Sequence, residues 1–261
     1  MSQKRRAARV RKLCFFRVCG RLAAGLVAMG RLLVIGGSGY LGRHVVRAGL
    51  AQGLKVASLS RSGAPPATVS VEGMGDAEWI QGPADDAAVV ARALEGKTSV
   101  ISCLGTPFGT KDSILHINGA TNVAITEAAK AAGVERYVFI SAATFRLMER
   151  LFPGSWGAYF EGKRQAEAAV ARHFGEAGAT LKPGIIYTDS FDEFRSQAGL
   201  GLKETKMPGF VGAPMAAVTG ASPVQWMKGH LGPVGDFLAP PSCVSDVAAA
   251  AVEHVVRSSS H

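Results

Sequence analysis

Hydrophobic positions in this chain fall into short unbroken runs that alternate with longer amphipathic stretches. Arg31 to Ile35 (RLLVI) is an apolar run bounded by glycines, the pattern of a strand buried on both faces. A helix is expected over Leu41 to Leu50 and a second strand over Leu54 to Leu59. Gly53 sits between them, where a helix would end. Glu78 to Gln81 reads as a third strand, Ala84 to Leu94 as a helix stopping near Gly96, and Ser99 to Leu104 as a fourth strand. A long helix over Ser113 to Ala132 closes at Gly133. It is followed by a fifth strand over Arg136 to Ile140, a helix over Tyr159 to His173, and a sixth strand over Ala179 to Lys182. Residues 60–77 and 105–111 read as loops and residues 142–157 as an irregular segment.

This alternation predicts an α/β fold with a doubly wound parallel sheet of the Rossmann type. Parallel neighbours need a crossover, and each intervening helix is long enough to supply one. The rhythm fails after Gly184. Residues 188–241 hold many Gly, Pro and Met residues, and a small irregular C-terminal substrate-side region, either a lobe or a lid, is expected there. Met207, Met215, Trp226, Met227 and Phe237 could line a pocket for an isoprenoid-like or quinone substrate, pack on a partner or membrane surface, or form an ordinary small core. The sequence leaves these readings open. A final helix is expected over Val244 to Val256, and the serine-rich tail 258–260 reads as frayed. The expected organisation is a leader over 1–29, a nucleotide-binding core over 30–187, the substrate-side region over 188–241, and a closing helix over 242–257 that packs on the core.

Charge changes the picture at one end only. The 261 residues carry a formal net charge of +9. Eight of the 29 basic residues lie within residues 1–29, which contain no acid, so 21 basic residues face 20 acidic ones in the remainder. A basic groove for nucleic acid is therefore not implied. The Arg-rich, acid-free leader has the composition of an organelle-import peptide, and Arg17 and Arg21 interrupt the apolar run that a secretory signal would need. A surface-lying basic helix is the plainer alternative. Met29 is a candidate alternative start. No run of about 18 uncharged apolar residues is present, so no transmembrane helix is expected. Cys14, Cys19, Cys103 and Cys243 show no CxxC spacing, and His173 and His230 have no ligand partners at useful spacing. No metal site is expected.

Candidate chemistry begins at Gly36-Gly37-Ser38-Gly39-Tyr40-Leu41-Gly42, with spacing GxxGxxG. The first glycine permits the turn out of the strand, Gly39 lets the backbone approach a pyrophosphate, and Gly42 permits close contact of helix and sheet. The helix start then offers free N–H groups to phosphates. A lone glycine pattern is weak evidence, but this one follows an apolar strand and opens a helix. NAD binders place an acid at the end of the second strand for the ribose 2′-hydroxyl. Here the chain reads Ser58-Leu59-Ser60-Arg61-Ser62, and Arg61 suits a 2′-phosphate, so NADP is expected over NAD.

Tyr159 and Lys163 lie four residues apart at an expected helix start and so share a face. An ammonium beside a phenol favours the phenolate, which makes a better acid/base near neutrality. Ser141 follows the fifth strand, at the sheet edge where ligands bind, and is expected to hydrogen-bond a substrate carbonyl. Asn118 sits inside a helix pattern and either orders backbone or water near the site or is a polar residue on a partly exposed face.

These residues carry a resemblance to the extended and atypical short-chain dehydrogenase/reductase superfamily over roughly residues 31–256. The nearest likeness is to coenzyme Q biosynthesis accessory proteins of fungal mitochondria and related plant organelle proteins. The local matches are IGGSGYLG (35–42), SLSRSG (58–63), SVISC (99–103), HING (116–119) with Asn122, RYVFISAA (136–143), YFEGKRQAE (159–167), LKPGII (181–186) and the closing Pro240, Pro241, Val244, Asp246 and Val247. The resemblance implies cofactor contacts from Gly36, Ser38, Gly39, Tyr40, Leu41, Gly42, Ser60, Arg61, Cys103, Tyr159, Lys163 and Pro183, and catalysis by Ser141, Tyr159 and Lys163. The family's Gly-Asp after the third strand is replaced by Gln81-Gly82-Pro83, the fifth-strand exit is Ser141-Ala142-Ala143 rather than a paired serine, and the chain ends soon after the last helix. Two functions are implied. One is an NADP(H)-dependent reductase of a carbonyl or quinone-related compound. The other is a dinucleotide-binding accessory protein docked to a quinone-pathway or respiratory complex, with peripheral inner-membrane contact. The compartment implied is the mitochondrion, with the plastid as the alternative.

Overall fold

A computed structural model describes residues 30–65, 73–143, 146–188, 207–208, 215, 217, 219 and 240–256. The basic leader lies outside the described residues, as do His230, Trp226, Met227 and Phe237. Six parallel strands form the main sheet in the order β3-β2-β1-β4-β5-β6. They are β1 (Arg31–Ile35), β2 (Lys55–Ser60), β3 (Glu78–Gln81), β4 (Ser99–Ser102), β5 (Arg136–Ile140) and β6 (Gly178–Leu181). This is the doubly wound order, and its direction reverses between β1 and β4. All six strands run the same way, so their carboxyl ends share one edge.

Two apolar layers hold the sheet. On one face α1 (Tyr40–Ala51) and the closing helix α7 (Val244–Val256) pack together. Val45, Val46, Val247, Ala251 and Val252 bury against Leu32, Val34, Ile101 and Val138. On the other face α2 (Ala87–Leu94), α4 (Thr121–Ala131) and α6 (Ser155–Phe174) cover Leu33, Ile35, Leu59, Val100, Tyr137 and Phe139. Alternate residues of β1 thus serve opposite layers, as the two-residue strand period requires. Burial of each such side chain contributes about 1.5–3 kcal/mol, which sets the register of β1 against slippage.

Helix boundaries move where a cap decides them. The helix expected from Ala84 begins at Ala87, because the Asp86 side chain accepts from the Ala88 and Val89 amides at 2.9 and 3.1 Å. The helix expected from Ser113 begins at Lys111, where the Thr110 hydroxyl oxygen accepts from Ser113 N at 3.2 Å. That helix is not continuous. It comprises α3 (Lys111–Leu115), a π-helical turn over His116–Ala120, and α4. The segment 142–157, expected to be irregular, holds the short α5 (Arg146–Leu151) and the first turn of α6. Trp156 stacks on Phe160 at 5.9 Å and meets Tyr159 edge-on at 5.8 Å, which extends α6 back past its expected start. Tyr159 therefore lies in the second turn of α6 rather than at its beginning. Beyond β6, β7 (Ile186–Thr188) pairs in parallel with β8 (Met207–Pro208) and β9 (Ser242–Cys243), a second small sheet that no periodicity announced.

Candidate dinucleotide site

The turn out of β1 is fixed before any side chain contributes. Gly36 adopts φ +80°, and its amide donates to the Leu59 carbonyl at 2.8 Å. Gly39 N donates back to Gly36 O at 3.0 Å. A Cβ on Gly42 would lie 2.1 Å from Gly36 O, so only glycine lets α1 start this close to the turn. No side chain caps α1, and no acid lies in its first turn. The amides of Tyr40, Leu41 and Gly42 thus face the sheet edge at a positive helix end, an arrangement that suits a diphosphate. Ser38 is half-buried in this loop. Tyr40 meets His44 edge-on and carries the Arg43 guanidinium 5.0 Å from its ring centre.

The exit of β2 is a second tight turn. Gly63 N donates to Ser60 O and to Ser60 Oγ, both at 3.2 Å, and the Ser60 and Ser62 hydroxyls lie 3.3 Å apart. Gly82 N also donates to Ser60 O, which ties the β3 exit to the same residue. Arg61 projects from this turn exposed. The acids after β3 are committed elsewhere: Asp86 caps α2 and Asp85 pairs with His116 at 3.8 Å.

At the other half of the sheet edge, Tyr159, Lys163 and Glu167 form one stripe along α6 at four-residue spacing. Lys163 is 5% exposed, and its Nζ donates to Ile140 O at 2.9 Å and Leu104 O at 3.2 Å. It also lies 4.6 Å over the Phe139 ring and 5.8 Å from the Tyr159 ring. Burial pulls its pKa down to about 8, opposed by Cys103 and Glu167. Burial pushes the Tyr159 phenol up to about 12. In this structure the Lys163 ammonium is held by two main-chain carbonyls. The Cys103 thiol is likewise pushed up to about 12 by burial, against the pull of Lys163. The Cys103 amide donates to Ile35 O at 2.9 Å.

The Ser141 hydroxyl donates to Glu167 Oε1 at 2.5 Å. Glu167 Oε2 accepts from Lys182 Nζ. Ala143 N donates to the carbonyl of Pro183, which is buried at the β6 exit. Glu167 was signalled in the sequence only by its four-residue spacing from Lys163 and eight-residue spacing from Tyr159.

The π turn completes the site. Asn118 is fully buried, and its amide donates to Ile114 O at 2.8 Å and Thr106 O at 2.7 Å while its Oδ1 accepts from Thr106 N. Asn122 donates to Ile117 O and Asn118 O and accepts from Ser102 Oγ. Two side-chain amides thus bond the Ile114, Ile117 and Asn118 carbonyls in and beside the widened turn. Gly162 of α6 lies so close that a Cβ there would stand 2.8 Å from Asn118 Cβ. Asn118 is therefore a buried clamp on the loop after β4, not a polar residue on an exposed face. No group of three or more metal-ligating side chains occurs among the described residues.

A doubly wound sheet, a glycine turn opening an uncapped helix at its carboxyl edge, and a Tyr-Lys stripe on the far half define a dinucleotide-binding Rossmann protein. The chain belongs to the NAD(P)H-binding family, whose model matches residues 36–195. Curated relatives include a chloroplastic uncharacterized protein of Arabidopsis thaliana, 33% identical over 60% of this chain and 51% of that protein. They also include the photosystem II assembly factor Ycf39 of Trieres chinensis, 33% identical over 42% of this chain and 34% of that one. An isoflavone reductase homolog of Zea mays is 30% identical over 66% of this chain and 50% of that one. The chain thus spans about half or less of the length of these relatives. An oxidoreductase of the short-chain family from Burkholderia thailandensis shares the fold at a TM-score of 0.57, with 17% identity over 87% of this chain and 86% of that one.

Proposed function

We propose that this protein is an NADP(H)-binding accessory protein of a plastid, which holds its dinucleotide for recognition or stability rather than for rapid turnover. The observation that carries this reading is the pairing of an open glycine turn with a buried Lys163 whose ammonium is already held by main-chain carbonyls. The α1 amides and the glycine turn are in place. Lys163 is engaged by Leu104 and Ile140. Binding alone still stabilises a fold by mass action.

Arg61 supports NADP over NAD, because a guanidinium suits a 2′-phosphate and no acid faces the ribose there. The plastid setting is supported by the chloroplastic relative and by the photosystem assembly factor, and an assembly-type partner follows by analogy with the latter. The quinone-pathway or respiratory-complex setting in a mitochondrion, with peripheral inner-membrane contact, has no support from these relatives. A second reading, reduction of a carbonyl or quinone-related substrate, is favoured by the shared face of Tyr159 and Lys163 beside the cradle. Stopped-flow mixing of the NADPH complex with a panel of ketones and quinones separates the two. Tight binding without oxidation of NADPH supports the accessory role. Turnover that Tyr159→Phe abolishes supports the reductase.

A further inference from the structure

Hydrogen-bond inventory at the β5 exit decides which ligand groups this site accepts. A serine hydroxyl has one proton to give and two lone pairs. The Ser141 proton is given to Glu167 Oε1, while the other oxygen of that carboxylate holds Lys182. Ser141 is 5% exposed as a residue, and Glu167 reaches its hydroxyl from the same α6 stripe that carries Tyr159 and Lys163. A carboxylate paired with an ammonium is an acceptor only and gives nothing back.

We infer that Glu167 is a specificity-determining residue, which takes the only proton of Ser141 and so makes this edge of the site select a ligand hydroxyl over a ligand carbonyl. A carbonyl oxygen brought to Ser141 meets lone pairs on both sides. A hydroxyl of the same skeleton donates into a free lone pair. Lys182 assists by holding the second carboxylate oxygen, so that Glu167 does not rotate away. The inference rests on the dinucleotide site proposed above and refines what that site admits beside the cofactor.

The test uses the full chain. NADP+ and NADPH binding is measured first by calorimetry. Competition-free binding of two matched pairs, cyclohexanol with cyclohexanone and indanol with indanone, is then measured by ligand-observed NMR with and without dinucleotide. The expected result is an alcohol preference of about five-fold, the size of one ordinary hydrogen bond. In Glu167→Ala the Ser141 proton is released, the ketones gain affinity and the preference disappears or reverses. A purely structural loss would weaken both members and could not strengthen the ketone. Ser141→Ala, which keeps Glu167 on Lys182, loses the alcohol preference without any ketone gain and covers the case in which Glu167→Ala fails to fold. Equal binding of the two members in the wild type, or binding of neither, overturns the inference. Failure of dinucleotide binding in the first step instead overturns the proposed function, so the two failures are distinct.

Discussion

Lys163 Nζ sits 2.9 Å from the carbonyl oxygen of Ile140, the last residue of β5. The ammonium therefore closes the end of the central sheet with its own charge, at a position where little water remains to solvate it. Its depressed pKa follows from that burial, and a pH dependence follows from the pKa.

In the unfolded chain Lys163 keeps its proton up to the ordinary value of 10.5, whereas in the folded protein it loses it near 8. Between those values the unfolded state binds more protons, so stability rises as pH rises from about 8. Cys103, ordinarily at 9.0, and Tyr159, ordinarily at 10.0, are both pushed up to about 12 and act in the opposite sense, removing stability above their ordinary values. Urea denaturation across this range is expected to show stability climbing from pH 8 to pH 9 and falling at higher pH. Lys163→Met should flatten the climb. A wild-type profile that falls steadily from pH 8 contradicts this account of the buried ammonium.

Gly42→Ala places a methyl group 2.1 Å from the Gly36 carbonyl oxygen, and that neighbour is backbone with no rotamer to give. Overpacking of this kind costs about 1–3 kcal/mol. The glycine turn must open to relieve it, which moves the α1 amides off the diphosphate. Thermal denaturation should show the lost stability. Dinucleotide affinity should fall by more than ten-fold, since about 1.4 kcal/mol corresponds to each factor of ten.

Asn118→Ala removes the hydrogen bonds to Ile114 and to both backbone groups of Thr106. Leaving buried backbone groups without partners costs about 1–3 kcal/mol each, with less expected at Thr106, which is only half-buried. The midpoint of urea unfolding should drop. The loop after β4 should also gain hydrogen exchange at Thr106 while the α1 amides keep theirs. Uniform exchange gain across the sheet would instead mean that Asn118 serves the core as a whole.

The strands were legible because the interior of a parallel sheet is apolar on both faces. β1, β3 and β5 fall on the residues expected for them. Gly36 and Gly42 were legible for a related reason: their roles depend on backbone geometry, which the spacing after an apolar strand already states. The proton inventory was not legible. Nothing in the spacing of Tyr159 and Lys163 says that the ammonium will find Leu104 and Ile140 first, or that Ser141 will find Glu167. Those outcomes depend on how far α6 sinks toward the sheet, which Gly162 and the π turn at Asn118 determine together. Caps misled in a simpler way, because Thr110 and Asp86 set helix starts that periodicity alone placed two or three residues away.

Arg61 carries the proposed preference for NADP(H). Arg61→Ala should lower NADPH affinity about ten-fold, the scale of a hydrogen bond to a charged group, and leave NADH affinity nearly unchanged. Parallel calorimetric titrations of wild type and variant check this, and the salt dependence of NADPH binding should weaken in the variant. Equal losses for both nucleotides would place Arg61 in the fold of the β2 turn rather than on the phosphate.

Everything proposed for this protein depends on a diphosphate reaching the uncapped start of α1. Isothermal titration of the purified chain with NADPH measures that directly. Saturable binding with one site per chain is expected, strongly weakened by Gly42→Ala. No uptake of NADPH or NADH at millimolar concentration by folded protein would contradict it.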